Sequence, residues 1–483
     1  TLKNDEPPIN EDITGYGEDP SSGYTESQVH VYYLDANNGN DTTGDGTSGN
    51  PWQSILKVQD VMEAGDTIIL QDGNYGYFSE TSSVSRTDWI TIKADIGAVP
   101  VLTGINVNYA SITDSYLRFD GIDLQVDDSL TDNGISLSDL RYFELRNCTV
   151  HHQLDNKYLI GTGLTIRNSD YVLIYHNHIH SVARGFSILN AQNVTIYLNH
   201  VHRLGGGTGI QYAGNCSNFI IEKNNIYDSN HDPLDPDAPD DPHGSAISIR
   251  SGDVWIKDNI FHDIGSSSGI MFYTPDAAGG EEAYMNIIIE NNLLYDIHNT
   301  SILRMYNLGT NVIVRNNTII GKVRTDTSMG CYKLNSVLSV HTIADGYDGS
   351  GLEVCNNILA GTADIPSNAM ISNNIFWSFY YDEDPHNFLD TLADNIIITS
   401  GNDYPIDYFT DSFFIGIDEE SDFEDGHGMI LDFNLHSSSE AINFGDPDNQ
   451  TSKGLASIGP DGFIQFDGIP RDANHHSAGC YEY

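Results

Sequence analysis

Short runs of alternating apolar and polar residues, each interrupted by an asparagine, recur through the middle of the chain. Each unit holds one short apolar run, an asparagine and a second short apolar run, which predicts a strand, a turn and a strand. Nine segments share the pattern: 142–150, 171–179, 194–201, 219–226, 254–261, 287–294, 312–319, 352–359 and 370–376. Their spacing of roughly 20–35 residues is typical of a solenoid repeat.

A solenoid of strands explains this pattern physically. One coil cannot bury its apolar face alone, whereas stacked coils share a continuous core. Strands of successive coils pair in parallel, and asparagine at the turn tolerates a left-handed backbone and can bond to the asparagine of the next coil. A leucine-rich horseshoe would need helices and a leucine framework, and neither is present. We therefore predict an all-β, right-handed parallel β-helix with a short N-terminal cap helix, into which residues 51–56 lead and which ends at about Glu63.

The same patterns divide the chain into four parts. Residues 1–28 are polar and rich in Pro, Gly, Asp, Glu and Ser, which predicts a flexible tether. We expect residues 29–100 to form the N-terminal cap and first coils, and residues 101–385 to form the β-helix with its catalytic groove. Residues 386–483 are predicted to form the last coils and the C-terminal cap.

A second set of strands, called here the second register, follows the asparagine units after a loop of variable length. These strands alternate inward and outward residues, as in Gly163–Arg167 and Ala246–Arg250. The loops before them differ most from unit to unit, and the longest covers residues 227–244. Variable loops beside a regular sheet are typical of a binding groove.

Basic residues are scarce, with 21 Lys and Arg against 69 Asp and Glu, yet several fall at outward positions of the second register. This placement predicts a cationic groove for an acidic polysaccharide, because arginine binds carboxylate or sulfate in a bidentate manner. The alternative is that each arginine pairs with a neighbouring acid as a structural ion pair. The predicted substrate-binding residues are Arg167, Arg184, Gln211, Arg250 and Tyr306. Lys333 is expected to follow Arg304 one coil later.

The formal net charge of −48 argues against nucleic acid and anionic membranes as partners. It suits saline or calcium-rich surroundings, such as a marine setting, where counterions screen self-repulsion. No apolar run approaches the roughly 18 residues that a membrane span needs. The chain starts at Thr1 without a leader, as an exported bacterial protein does after processing, so we expect a secreted, cell-surface or periplasmic monomer.

The stretch from Val31 to Tyr75, with Pro51-Trp52 and Asp72-Gly-Asn-Tyr75, resembles the N-terminal cap of secreted β-helix carbohydrate-active proteins. Pectate lyases of polysaccharide lyase family 9, and alginate lyases and chondroitinase B of family 6, have similar caps. Residues 441–483 resemble the closing segment of bacterial members. The resemblance implies the fold and an action on polysaccharides, while the reaction depends on the residues of the groove.

A lyase of this kind needs three groups. Cleavage of a uronate polymer by β-elimination requires a cation on the carboxylate, a base for the proton beside it and an acid for the leaving oxygen. Lys333 and His243 are the candidate bases, and Tyr273 is the candidate acid. Arg304 and Arg250 would neutralise the carboxylate.

An acidic loop over residues 231–244 precedes one second-register strand. Its carboxylates are candidate Ca²⁺ ligands, and the alternative is a solvated acidic loop. The candidate ligands are Asp235, Asp237, Asp240 and Asp241. Asp241-Pro-His243 also resembles the Asp-Pro-His core of mannuronan C5-epimerases.

Histidines cluster on two neighbouring units, at positions 176, 178, 180, 200 and 202. They suggest metal ligands, but their alternation along strands at a turn favours structural histidines that stack on one another. No pair of the five cysteines has zinc-ligand spacing.

Four functions remain open on this evidence. The first is a polysaccharide lyase. The second is a β-helix glycoside hydrolase that uses a carboxylate pair drawn from Asp241, Glu281 and Glu282. C5-epimerisation and binding without catalysis, as in an adhesin, are the other two.

Overall fold

The computed structural model describes most of the repeat region. The described residues are 29–126, 133–153, 161–205, 207–229, 244–265, 268–272, 284–297, 301–306, 308–321, 323–326, 331–334, 336–341, 349–378, 395–399, 457–458 and 464–465. The predicted tether, residues 1–28, and most of the predicted C-terminal cap, residues 386–483, lie outside them and stay predictions.

Three runs of parallel strands extend along the described coils. The pre-turn run comes before the asparagine turn, the post-turn run comes directly after it, and the second-register run comes after the variable loop. Successive coils pair in parallel, so that Val172 lies opposite Val194 and Val150 lies opposite Ile179. The chain is thus the right-handed parallel β-helix that the repeats predict.

The strands have the following bounds. The pre-turn run contains β1 (Val31–Leu34), β2 (Thr67–Leu70), β5 (Ile90–Ala94), the second halves of β7 (Gly104–Asp120) and β9 (Asn133–Arg146), β12 (Asp170–Tyr175), β15 (Gln192–Tyr197), β18 (Ser217–Glu222), β21 (Val254–Lys257), β24 (Ile287–Glu290), β27 (Val312–Arg315), β32 (Leu352–Cys355) and β35 (Met370–Ser372). The second-register run contains β4 (Tyr77–Glu80), the first halves of β7 and β9, β11 (Thr162–Arg167), β14 (Arg184–Leu189), β17 (Ile210–Ala213), β20 (Ile247–Arg250), β23 (Ile270–Phe272), β26 (Ser301–Tyr306), β31 (Ser336–His341) and β34 (Thr362–Asp364).

The post-turn run forms a separate sheet of short strands. It contains β3 (Gly73–Asn74), β6 (Pro100–Leu102), β8 (Asp123–Val126), β10 (Thr149–His152), β13 (His178–Val182), β16 (His200–Leu204), β19 (Asn225–Ile226), β22 (Ile260–Phe261), β25 (Leu293–Leu294), β28 (Thr318–Ile320), β33 (Ile358–Ala360), β36 (Ile375–Ser378) and β37 (Ile396–Thr399). Two antiparallel pairs stand apart from the three runs: β29 (Val323–Asp326) with β30 (Cys331–Leu334), and β38 (Ser457–Ile458) with β39 (Ile464–Gln465).

The N-terminal end of the β-helix is covered by the short α-helix α1 (Ile55–Gln59), which buries Ile55 and Val58. Ser54 caps it, since its side chain accepts a hydrogen bond from the Lys57 backbone N–H at 3.2 Å. The predicted cap helix is confirmed, but it ends at Gln59 rather than near Glu63. Among the described residues no helix is long and apolar enough to cross a membrane.

The core consists of columns of similar apolar residues stacked from coil to coil. One fully buried column contains Ile174, Ile196, Ile221, Ile256, Ile289, Val314 and Val354. Burial of each such side chain stabilises the fold by roughly 1.5–3 kcal/mol. Because these inward residues meet their counterparts in the next coil, each coil depends on its neighbours to complete the burial of its apolar face.

A ladder of buried asparagines closes the turn between the pre-turn and post-turn strands. Its members have no solvent exposure: Asn177, Asn199, Asn224, Asn259, Asn292, Asn317, Asn357 and Asn374. At each step one asparagine donates both its backbone N–H and its Nδ2 to the Oδ1 of the next, as Asn259 does to Asn292 at 3.0 Å. The Nδ2 also donates to a strand carbonyl, here Ile221 O at 2.9 Å. The predicted asparagine stacking is confirmed, and the ladder leaves no buried amide group of these side chains unsatisfied.

The left-handed conformation belongs to the residue just before each ladder asparagine. Asn291, Asn316, Asn356 and Asn373 take this position with φ between 54° and 57°. In these four Asn-Asn pairs the two asparagines therefore differ in role: the first supplies the left-handed turn and the second supplies the buried hydrogen bonds.

Asp258 occupies one of these left-handed positions and is buried. Asn291 Nδ2 donates a hydrogen bond to its carboxylate, but burial has the larger effect and raises the pKa of Asp258 to about 7. The folded protein then holds a proton that the unfolded chain releases above about pH 4, so ionisation at higher pH destabilises the fold.

Asp258→Asn is expected to stabilise the protein at pH 8 and to leave its stability nearly unchanged at pH 4. Asparagine keeps the left-handed turn and still accepts from Asn291, but it carries no charge to bury. The gain at pH 8 is at most about 4 kcal/mol, since one pKa unit is worth about 1.4 kcal/mol. Urea unfolding midpoints of both proteins at the two pH values measure it. An equal difference at both pH values would show that Asp258 is already ionised in the fold.

Candidate functional site

The outer side of the second-register run, called here the second-register face, has an unusual charge pattern for this acidic chain. Seven consecutive strands of this run contain no Asp or Glu, namely β11, β14, β17, β20, β23, β26 and β31. The same strands carry Arg167, Arg184, Arg250 and Arg304. The first carboxylate beyond them is Asp364 on β34, opposite Ser339.

Strand pairing arranges the predicted residues of this face in rows. Gln211 and Arg304 share a central row with small or flexible residues, which runs Ser187, Gln211, Ser248, Met271, Arg304 and Ser339. Arg167 and Arg250 share a row at the ends of their strands, and Arg184 lies at the start of its strand. Since neighbouring strands lie about 4.8 Å apart, Arg250 and Arg304 are separated by about two strand spacings along the coil axis.

Arg304 has the environment expected of an anion-binding group. Its side chain is half-buried, and its guanidinium lies over the Tyr306 ring with 4.9 Å to the ring centroid. Within the described residues the buried Nε has no hydrogen-bond partner. Buried donors are nearly always paired, so this N–H is positioned for an acceptor that the described part of the chain does not provide.

The arginines on the outer side of the pre-turn run, called here the pre-turn face, form ion pairs with neighbouring carboxylates. Arg141 pairs with Asp114 at 2.9 Å, Arg315 pairs with Glu290 at 2.6 Å, and Arg118 pairs with Glu144. No salt bridge between described residues involves Arg167 or Arg304. The ion-pair alternative thus describes the arginines of the pre-turn face and does not describe these two.

Arg250 is exposed at the end of β20. Its charge acts on the buried Tyr284, although burial dominates there and raises the pKa of Tyr284 to about 12. Gln211, Arg184 and Tyr306 are half-buried, as expected of side chains at the outer surface of a sheet. The structure thus places all five predicted substrate-binding residues, together with Arg304, on one run of strands.

Lys333 does not follow Arg304 in the sheet, so this part of the prediction is wrong. Ser339 of β31 lies opposite Arg304 instead. Lys333 belongs to β30, where it pairs with Arg324 of β29 in an antiparallel hairpin inserted between two coils. The hairpin takes up residues that the repeat spacing assigns to the next coil. The proposed catalytic role of Lys333 stays a prediction.

Six further predicted residues lie outside the described part of the chain. These are His243, Tyr273, Asp235, Asp237, Asp240 and Asp241. The described residues next to them are Gly244, which leads into β20, and Phe272, which ends β23. Both segments therefore adjoin the second-register run, and the roles of the six residues stay predictions.

The post-turn sheet carries the predicted histidine cluster on its outer side. Aromatic rings stack there at 4.6–5.3 Å between centroids, in the order His151, His180, His202, Tyr227, His262 and Tyr295. The prediction of stacked histidines is confirmed for His178, His180, His200 and His202. His176 instead lies at the left-handed position before the turn. Burial, and then the neighbouring histidines, lower the pKa of His202 to about 2, so this ring is neutral at physiological pH.

An aromatic cleft on the pre-turn face was not predicted. Tyr116, Tyr142 and Tyr171 stack in sequence, and Trp89 packs edge-on against Tyr116. A small open cleft lies beside these rings and is lined by Trp89, Tyr142 and Tyr171. A tyrosine at the same place in successive units is the sequence signal that could have found it. The stacked rings cover one another's faces, which leaves little free ring surface for a sugar.

Comparison with known proteins supports the architecture. A family model described as right handed beta helix region matches residues 103–274. The pectate lyase Pel9A has a similar structure, with a TM-score of 0.51 and 15% identity over 94% of this chain and 97% of that one. XylC, solved with xylose, gives a TM-score of 0.51 and 11% identity over 93% of this chain and 98% of its own. No curated protein matches the chain significantly. At these identities the likeness is one of fold.

Proposed function

We propose that the second-register face binds an acidic polysaccharide and that the protein is a secreted lyase that cleaves this polymer by β-elimination. The observation that carries the proposal concerns the seven strands β11 to β31 of the second-register run, which contain no carboxylate in a chain of net charge −48. On them the buried Nε of Arg304 has no hydrogen-bond partner among the described residues. A polymer of uronate or sulfated sugars supplies the missing acceptors at regular intervals. Pel9A is named as a pectate lyase, which makes pectate the first polymer to test.

Each step of the elimination has a candidate group on this face, on the inserted hairpin or next in sequence to one of its strands. Arg304 and Arg250 bind the carboxylate and stabilise the negative charge that develops when the neighbouring C–H proton leaves. His243, in the segment before β20, is the first candidate base, and Lys333 on the inserted hairpin is the second. Tyr273, directly after β23, is the candidate acid for the leaving oxygen.

A calcium ion is the second proposed cation of this site. Asp235, Asp237, Asp240 and Asp241 offer oxygen ligands in the segment before β20, and a hard cation there would bind a second carboxylate of the substrate. Removal of calcium with a chelator is then expected to reduce turnover, and re-addition of Ca²⁺ is expected to restore it.

Incubation with pectate, alginate, glycosaminoglycans and sulfated algal glycans tests the proposal. We expect a rise in ultraviolet absorbance from an unsaturated sugar on one acidic polymer. New reducing ends without this absorbance would identify a hydrolase, and uronate inversion without cleavage would identify an epimerase. Binding without any chemical change would identify an adhesin. Each of these three results contradicts the lyase proposal, and only the absence of binding to any acidic polymer contradicts the binding face as well.

A further inference from the structure

Three histidines of the post-turn sheet come together across two coils. Strands β13 and β16 pair in parallel, with His178 opposite His200 and His180 opposite His202. His178, His200 and His202 each offer a ring nitrogen, and these three nitrogens lie within 4.8 Å of one another. The column of stacked rings explains how His202 packs, but it does not explain why His178 and His202 face each other.

The contact between His178 and His202 is a hydrogen bond between ring nitrogens. The two Nε2 atoms are 2.7 Å apart, and the ring centroids are 4.9 Å apart. The nitrogens therefore point at each other, and one proton lies between two lone pairs. Both side chains are half-buried, so ions from solvent can reach this point.

We propose that His178, His200 and His202 form a binding site for a divalent transition-metal ion of the Zn²⁺ type. Such an ion takes the place of the proton shared by His178 and His202, and this proton moves to Nδ1 of the ring that carried it. Each neutral ring then holds one proton, on Nδ1, and offers the lone pair of Nε2 to the metal. With metal–nitrogen bonds of about 2.0–2.1 Å, tetrahedral ligands lie about 3.3 Å apart. The two nitrogens must therefore separate by about 0.6 Å, which small side-chain rotations achieve.

His200 supplies the third ligand from the buried side of the cluster. Its ring centroid is 4.7 Å from that of His178 and 4.6 Å from that of His202. Its Nε2 lies 2.9 Å from Tyr227 Oη, and hydrogen bonds of this kind orient the imidazoles of metal sites. Three neutral imidazoles suit Zn²⁺, Ni²⁺ or Cu²⁺ and disfavour Ca²⁺, which prefers oxygen. Three protein ligands leave a fourth position for water.

Titration of the chelator-treated full chain with ZnCl₂ in a calorimeter tests the site. We expect the parent protein to bind one Zn²⁺ per chain at this site. In His178→Phe and in His202→Phe the affinity of this site for Zn²⁺ should fall at least 100-fold. Phenylalanine keeps the ring that stacks on its neighbours and removes the ligand nitrogens. His176→Asn is the matched control, because His176 lies outside the cluster at a left-handed position, φ 53°, that asparagine tolerates. Zn²⁺ binding unchanged in His202→Phe would overturn the proposal.

A measurement on the unaltered protein guards against variants that fail to fold. Electron paramagnetic resonance of the protein loaded with one Cu²⁺ counts the nitrogens bound to the metal. Three imidazole nitrogens are expected, and one or none would overturn the proposal.

The melting temperature should also rise with added Zn²⁺ in the parent and in His176→Asn but not in the phenylalanine variants, because a ligand that binds only the folded state stabilises it.

Discussion

Asn292→Asp is expected to lower the free energy of unfolding by about 4 kcal/mol, because it removes the donor of a buried ladder step without changing the volume of the side chain. Asn292 Nδ2 donates to Ile256 O at 2.9 Å and to Asn317 Oδ1 at 3.0 Å. A carboxylate there places oxygen against oxygen at both contacts. Each unsatisfied buried acceptor costs about 1–3 kcal/mol, and a buried charge adds to this.

Asn311→Asp is the matched control for the ladder. Asn311 is exposed, and its Nδ2 donates to Asn286 Oδ1 at 3.1 Å in a second, outer ladder. The same chemical change should cost below about 1 kcal/mol there, since water replaces the lost partner. Urea unfolding at pH 7 measures both variants. Similar losses of unfolding free energy in the two variants would mean that burial does not determine how strongly the inner ladder stabilises the fold.

Arg304→Gln is expected to weaken binding of the acidic polymer by about 10- to 100-fold. A charge-assisted hydrogen bond is worth about 1.5–3 kcal/mol, and 1.4 kcal/mol corresponds to a factor of ten. Glutamine keeps a polar side chain with a stem one methylene shorter, but it loses both the charge and the paired donors. The polymer affinity of Arg304→Lys should lie between that of the parent protein and that of Arg304→Gln, because lysine keeps the charge without the bidentate geometry.

Arg141→Gln provides the control for charge alone. Arg141 is also partly exposed, but it lies on the pre-turn run and already pairs with Asp114. Its replacement changes the net charge by the same amount and should leave polymer affinity and kcat/KM nearly unchanged. Affinity electrophoresis in gels that contain the polymer compares the two variants. Equal weakening in both would mean that overall charge, and not the second-register face, governs binding.

The repeats were sufficient to predict the fold because each unit carries the same physical instructions. Apolar alternation predicted the strands, and the Asn-Asn pairs marked the turns at which coils stack. The sequence did not separate the two asparagines, since both residues suit a turn and only the three-dimensional stack shows which one is buried. The αL position is more permissive than the ladder position: it also accepts Leu198 and Lys223, whereas the described ladder keeps asparagine.

The site was predicted less completely, for two physical reasons. The placement of Arg250 and Arg304 follows from strand alternation, which the sequence shows directly. Lys333 was misplaced because an antiparallel hairpin of ordinary strand-like sequence looks the same as the next coil. Whether an arginine has an acidic partner depends on contacts across coils, as Arg315 and Glu290 show, and those contacts need the register.

Hydroxyl-radical footprinting with an acidic oligosaccharide tests most directly whether the second-register face is the binding face. Met271 lies in the central row of this face beside Arg304, whereas the exposed Met285 lies just before β24 on the pre-turn side. Methionine oxidises readily, so mass spectrometry can follow both residues in one sample. We predict that the ligand slows oxidation of Met271 and leaves Met285 unchanged. Protection of Met285 with no change at Met271 would contradict the assignment of the face.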